Sequence, residues 1–234
     1  LTLALETPRR VLLVSGPNMG GKTVALKTLG LTALMAQAGL DVAADEGARL
    51  PWCGLVAADI GDAQSIEAHL STFAAHLGRL NAMAVASAPS CLFLLDELGS
   101  GTDPAEGASL GRALLKHFAR TGAWVVATTH LGSLKRVAGE VAGVVNGSLE
   151  FDRETLSPRF RFLAGIPGAS HALAVASRLG FPQALLERAS ALTPDETRAL
   201  ERLLSEIGDA MRAVGEERAA LAIALAEAEA AGAS

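Results

Sequence analysis

The chain alternates short, wholly apolar runs with longer stretches in which apolar residues recur every three or four positions. Residues 11–15, Val-Leu-Leu-Val-Ser, stay apolar up to Gly16-Pro17, the pattern of a strand buried on both faces that ends in a sharp turn. The spacing predicts a helix from Lys22 to about Ala38, with Gly39 as its C-terminal stop. Leu55–Ala58, Cys91–Leu95 and Ala123–Thr128 read as further buried strands, and helical stretches at 64–87 and 105–120 stand between them. Strand and helix alternating at this spacing predict an α/β fold with a mostly parallel sheet covered on both faces.

After Val144 the pattern changes to two alternating, Arg-containing runs, Val144–Phe151 and Arg159–Leu163, expected as an antiparallel pair. Two short helices follow at about 169–179 and 182–191. Thr193-Pro194-Asp195-Glu196 has the form of a capping box: an N-cap Thr, Pro at the first helical position and Glu at the third. The expected division is therefore a body over residues 1–192 and a helical segment over 193–234. In that segment Leu200, Leu204, Ile207, Met211, Val214, Leu221 and Leu225 form a heptad seam broken at Arg218. A helix to Ala231 would be roughly 57 Å long, which suits a coiled-coil or linker start, the alternative being a long helix packed back on the body.

Half of the 234 residues are hydrophobic and 19% are charged, which supports a sizeable core and excludes intrinsic disorder. Twenty Lys+Arg against 25 Asp+Glu give a net charge of -5, which counts against a surface built throughout for phosphate backbones. The absence of Tyr, with seven Phe and two Trp, leaves few rings for stacking bases. Cys53 and Cys91 lack neighbouring ligands at zinc spacing and read as free, buried thiols. No apolar run approaches a bilayer span and no leader opens the chain, so the expected location is cytoplasmic, without membrane contact. The chain opens on Leu and closes within an Ala/Glu-rich stretch, which suggests a segment of a longer polypeptide.

Gly16-Pro17-Asn18-Met19-Gly20-Gly21-Lys22-Thr23 fits G-x-x-x-x-G-K-[ST] between a predicted strand and a predicted helix. The glycines let successive backbone N–H groups turn toward phosphate, and the helix N-terminus beyond adds a favourable dipole. Lys22 is expected to reach the β- and γ-phosphates, and the Thr23 hydroxyl to sit on Mg²⁺. Leu92–Leu95 then ends in the adjacent carboxylates Asp96 and Glu97, which strand geometry directs to different tasks. Asp96 is assigned to the Mg²⁺ shell and Glu97 to orienting or deprotonating the attacking water. His130 closes another strand on the same edge and is assigned a γ-phosphate contact. His69, His76, His117 and His171 read as surface or helix residues, and Ser71-Thr72-Phe73 by itself reads as a helix N-cap followed by a core Phe.

Taken together, the phosphate loop, Asp-Glu-Leu-Gly-Ser-Gly-Thr-Asp at 96–103 and Ala-Thr-Thr-His at 127–130 resemble the ATPase domain of the MutS proteins, of the ABC type. The resemblance runs over about residues 9–192, and Ser71-Thr72-Phe73 falls where that family carries its signature segment. Ala68-His69 replaces the Ser-Gly of mismatch-repair members. That departure, with Asp103-Pro104, residues 146–152 and Gly165-Ile166-Pro167-Gly168, is more similar to the MutS-two branch, whose members carry a long coiled coil and usually a C-terminal Smr nuclease domain.

The resemblance implies a P-loop ATPase acting as a homodimer on Mg²⁺-bound ATP, each nucleotide held between the phosphate loop of one copy and the signature segment of the other. Ser71 and Thr72 would contact the γ-phosphate in trans, Gly99–Asp103 would run along the dimer interface, and Asn18 would touch phosphate. It also implies coupling to branched or distorted DNA in repair or suppression of recombination, or to rescue of collided ribosomes, with any nuclease activity outside this segment. A P-loop small-molecule kinase is the weaker reading, because no Arg-rich lid follows the motifs. A module that holds nucleotide without turnover is opposed by the intact Lys22, Thr23, Asp96 and Glu97. Residues 193–234 hold nine Asp+Glu and four Arg with no Lys, so the acidic excess belongs to the tail and the body is neutral, with 16 acids and 16 bases. Nucleic-acid contact is accordingly expected mainly outside this segment.

Overall fold

The computed structural model describes residues 3–5, 7–16, 20–61, 69–152, 155, 157–169 and 172–232. The chain runs β1 (Val11–Ser15), α1 (Lys22–Gln37), β2 (Leu55–Asp59), α2 (His69–Ala86), β3 (Cys91–Leu95), α3 (Pro104–Thr121) and β4 (Trp124–Thr129). A short 3-10 helix (Gly132–Arg136) and α4 (Val137–Glu140) lead to β5 (Val144–Asp152) and β6 (Ser157–Ala164). Next come α5 (Ala172–Arg178), α6 (Gln183–Leu192) and α7 (Asp195–Gly232). These elements form two compact units, Leu1–Pro167 and Gly168–Ser234. The division expected between residues 192 and 193 falls at the junction of α6 and α7, inside the second unit.

The first unit is built on a six-stranded sheet in the order β2-β3-β4-β1-β5-β6. All neighbours pair in parallel except β5 and β6, which are antiparallel. The antiparallel pair matches the sequence reading; the joining of β5 to β1, with Leu13 beside Asn146, does not follow from it. Side chains alternate along each strand and so divide the core in two. Val11, Leu13, Cys91, Phe93, Leu95, Val125 and Ala127 face a cluster completed by Leu80 of α2, Leu115 and Phe118 of α3, and Leu134. Leu12, Val14, Leu92, Leu94 and Val126 face the other cluster, covered by Leu26 and Ala33 of α1. With both faces buried, β1 and β3 read as continuous apolar runs rather than alternating ones.

The local chemistry places α3 sharply. Asp103 caps it, accepting from Ala105 N at 2.9 Å and Glu106 N at 3.2 Å, with Pro104 as the first helical residue and Gly122 closing it at φ 76°. Its buried residues Gly107, Gly111, Leu114, Leu115 and Phe118 recur at helical spacing. Gly107 is required by a close approach, since a Cβ there would stand 2.0 Å from the Gly99 carbonyl oxygen.

In the second unit α7 extends over 38 residues. Its seam is buried at Leu204, while Leu200, Ile207, Met211, Val214 and Leu221 are exposed. The expected capping box is not formed. Thr193 ends α6 and its hydroxyl donates back to Ala189 O at 3.1 Å, while the first turn of α7 closes on Pro194 O, which accepts from Arg198 N at 3.0 Å. Because α7 begins at Asp195, Thr193 stands one residue ahead of the position from which a side chain caps a helix.

Candidate functional site

Gly16, Lys22, Thr23, Asp96, Glu97 and His130 follow the C-terminal ends of β1, β3 and β4, the edge at which open α/β sheets place ligands. Helix α1 starts at Gly21 in the left-handed conformation, φ 81°, with no side-chain cap and no acidic residue in its first turn. The N-terminal end of the helix dipole there favours an anion. Gly16, at φ 135°, lets the chain leave β1 sharply. Pro17, Asn18 and Met19 lie outside the described residues.

Lys22 is buried, 3% exposed, and its Nζ donates to Gly16 O at 2.6 Å, closing the loop on itself. Burial lowers the Lys22 pKa to about 8; the Glu97 and Asp96 carboxylates pull it up and the nearby Lys135 pushes it down. An ammonium held in so dry a place is fit for a phosphate that would restore its charge balance.

One residue along, the Thr23 hydroxyl donates to Asp96 Oδ2 at 2.7 Å across 73 positions of sequence. The other carboxylate oxygen, Oδ1, accepts from the Thr128 hydroxyl at 2.5 Å. The Thr128 hydroxyl in turn accepts from Glu97 N at 2.8 Å, and its carbonyl accepts from Leu98 N at 2.8 Å. Thr129 continues the clamp, donating to Leu98 O and accepting from Leu131 N, both at 3.1 Å. The segment after β3 is thus pinned to the end of β4 through four hydrogen bonds.

Glu97 has φ 51°, the one non-Gly residue with positive φ among the described residues. This conformation is uphill for a residue with a Cβ by about 1–3 kcal/mol and is held by the surrounding bonds. Its consequence is that Asp96 and Glu97 separate because the chain turns, β3 having ended at Leu95, and not because a strand sends them to opposite faces. His130 stands exposed directly after β4.

Ser71 and Thr72 occupy the first turn of α2, with backbone described and side chains outside the description. That helix follows β2, the edge strand, with β3 and β4 between β2 and β1.

Several participants were not legible in the sequence. Thr128 was read as part of a strand, and only its place beside β3 reveals that it orders both carboxylates. His76, read as an ordinary helix residue, pairs through Nδ1 with Asp59 Oδ2, and Arg79 Nε donates to Asp59 Oδ1 at 2.5 Å. A carboxylate closing an apolar strand, as Asp59 closes β2, was the available signal, the same one that marked Asp96. Cys53 and Cys91 are buried free thiols, and burial raises the Cys53 pKa. Among the described residues no group of three or more His, Cys, Asp or Glu side chains is placed to hold a metal, and no helix is long and apolar enough to cross a membrane.

The family model for MutS domain V matches residues 12–195. The chain is 51% identical over 206 residues to a protein of Thermus thermophilus named Endonuclease MutS2, a match covering 88% of this chain and 27% of that one. Proteins of the same name from Gemmatimonas aurantiaca and Lactiplantibacillus plantarum are 49% and 42% identical, over 88% and 97% of this chain and 25% and 29% of theirs. The chain thus spans about a quarter of the length of the curated relatives it matches. With Lys22, the adjacent carboxylates Asp96 and Glu97 and the strand-end threonines on one sheet edge, and with that match across most of its length, the chain belongs to the MutS family, as its domain V, and its relatives are of the MutS2 branch.

Proposed function

We propose that this domain is a P-loop, ABC-type ATPase module that binds and hydrolyses ATP, dimerises through its nucleotide sites, and couples turnover to the grip of the whole protein on branched or distorted nucleic acid. The observation that carries the reading is the bond between the Thr23 hydroxyl and the Asp96 carboxylate beside the buried Lys22. A hydroxyl and a carboxylate converging next to a phosphate-binding turn form the oxygen donor set that Mg²⁺ takes when phosphate oxygens and water complete its shell. Thr23 and Asp96 would hold the ion, and a bound Mg²⁺ would offset charge on the β- and γ-phosphates.

The remaining roles follow from position. Lys22 and the loop N–H groups bind phosphate; Glu97, turned away from Asp96 by its backbone, orients or deprotonates the attacking water; His130 contacts the γ-phosphate. Membership of the MutS family supports placing Ser71 and Thr72 on the nucleotide of a second copy, so that hydrolysis requires a homodimer. Nucleic-acid binding and the nuclease activity in the relatives' names are assigned to parts of the polypeptide outside this domain, in keeping with its balanced charge.

The test is ATP turnover together with mass by light scattering, with and without ATP and branched DNA, on this chain and on a longer one carrying its flanks. ATP-dependent dimers with turnover are expected in both, and stimulation by branched DNA in the longer chain alone. Absence of ATP binding in both would overturn the assignment.

A further inference from the structure

Helix α2 is tied to the sheet edge by a compact charged cluster. Asp59, at the last position of β2, is buried with 6% exposure. Its two carboxylate oxygens are taken separately, Oδ1 by Arg79 Nε and Oδ2 by His76 Nδ1, both on α2 and one turn apart. Burial pushes this carboxyl up, yet the bonds from His76 and Arg79 outweigh it and hold it below its ordinary value. A buried carboxylate with both oxygens occupied is costly to disturb, so it sets the axial position and rotation of the helix that supplies its partners.

The same residue touches the candidate catalytic edge through its backbone, because Asp59 O accepts from Asp96 N at 2.9 Å. Nearer the start of α2, the Phe73 ring lies against Gly101, where a Cβ would stand 3.1 Å from Phe73 Cδ2. Gly101 has φ 87° and belongs to the turn after Glu97. The first turn of α2 is therefore fixed from two sides, by the Asp59 cluster and by the 99–103 turn.

We propose that Asp59, His76 and Arg79 form a positioning cluster that sets the start of α2 against the catalytic edge, and so acts on the nucleotide held by the second copy rather than on the one held by its own phosphate loop. This rests on the shared-site reading given above. In such a dimer the cluster ties the Asp96 backbone of one site to the helix start serving the other. Loss of the cluster leaves the phosphate loop of the same chain intact and displaces the helix start that the partner needs. Misplacement of a positioning group by about 1 Å can lower turnover by about a hundredfold.

The experiment uses Asp59→Asn in the full chain. Nucleotide affinity is expected to stay within about twofold of wild type while kcat falls ten- to a hundredfold, a split that general unfolding would not produce. Asp59→Asn is then mixed with Lys22→Ala, and Ser71→Ala is mixed with Lys22→Ala in parallel. Each mixture pairs an intact phosphate loop from one copy with an intact α2 from the other, and both are expected to recover turnover. Recovery with Ser71→Ala but not with Asp59→Asn would overturn the trans action of the cluster and leave the shared site standing. Recovery in neither would remove the shared-site reading and this inference with it. If Asp59→Asn does not fold, Arg79→Ala takes its place with the same outcomes, since the Arg79 side chain is half exposed and His76 remains on Asp59. Arg79→Lys, which keeps a charged donor, is expected to restore most of the kcat lost in Arg79→Ala; no restoration would count against the ion pair as the positioning element.

Discussion

The Thr128 hydroxyl accepts a hydrogen bond from the Glu97 backbone N–H at 2.8 Å, and this contact holds a non-glycine residue at φ 51°. The same hydroxyl donates to Asp96 at 2.5 Å, so one buried oxygen orders both members of the carboxylate pair. Thr128→Val keeps the shape and removes both bonds. We expect turnover to fall about tenfold or more while nucleotide affinity changes little, and Thr128→Ser to retain most activity. Steady-state ATPase kinetics beside equilibrium nucleotide binding make the comparison; equal rates for valine and wild type would show that Glu97 is positioned by other means.

Glu97→Gln should bind ATP, hydrolyse it about 10²- to 10⁴-fold more slowly and accumulate a nucleotide-bound dimer. Glu97→Gly should lose turnover too, but gain up to about 1 kcal/mol of stability, because glycine takes a positive φ without the Cβ penalty. Denaturant unfolding of the two variants separates chemistry from strain. A glycine variant less stable than wild type would contradict the strain assignment.

Lys22 links nucleotide binding to pH. Burial lowers its pKa to about 8, and a bound phosphate should raise it again. Below pH 8 the ammonium is charged before and after binding, so binding takes up no proton on its account. Above pH 8 the lysine is neutral before binding and binding must bring a proton, so affinity should weaken as pH rises past that point. Folding has the opposite slope: the unfolded chain holds this proton up to the ordinary lysine value of 10.5, so Lys22 adds stability as pH rises from about 8 to 10.5. Calorimetry in buffers of different ionisation enthalpy reads the proton uptake. Lys22→Ala should weaken ATP binding by at least about a hundredfold and abolish that uptake; wild-type affinity in this variant would sink the phosphate-loop assignment.

Gly107→Ala places a methyl group 2.0 Å from the Gly99 carbonyl oxygen, against backbone that has no rotamer to change. The turn after Glu97 must shift, at a cost of roughly 1–3 kcal/mol. A lower unfolding midpoint with reduced turnover is the expected result, and full stability would show that α3 and the turn are free to separate.

Much of the first unit could be read from the chain because its elements obey local rules. β1 and β3 are continuous apolar runs, α3 carries its own Asp103 cap and Gly122 stop, and the candidate phosphate-binding motif is contiguous in sequence, with Gly16 and Gly21 at positive φ. In the second unit local chemistry had limits: Thr193 has the right neighbours for a cap, but α7 starts only at Asp195 and the Thr193 hydroxyl donates to Ala189 O of the preceding helix.

By itself, then, the sequence determined which segments are strands and helices, which motif is the candidate for phosphate, and which carboxylates are candidates for chemistry, since each of these depends on residues close together in the chain. Only the tertiary structure decided that β4 lies between β1 and β3, so that Asp96 meets Thr23 and Thr128, and that β5 adds to β1 while pairing with β6. It alone made Asp59, His76 and Arg79 a cluster. Strand order and side-chain pairing are set by the joint burial of surfaces distant in sequence, and no periodicity within a single element carries that information.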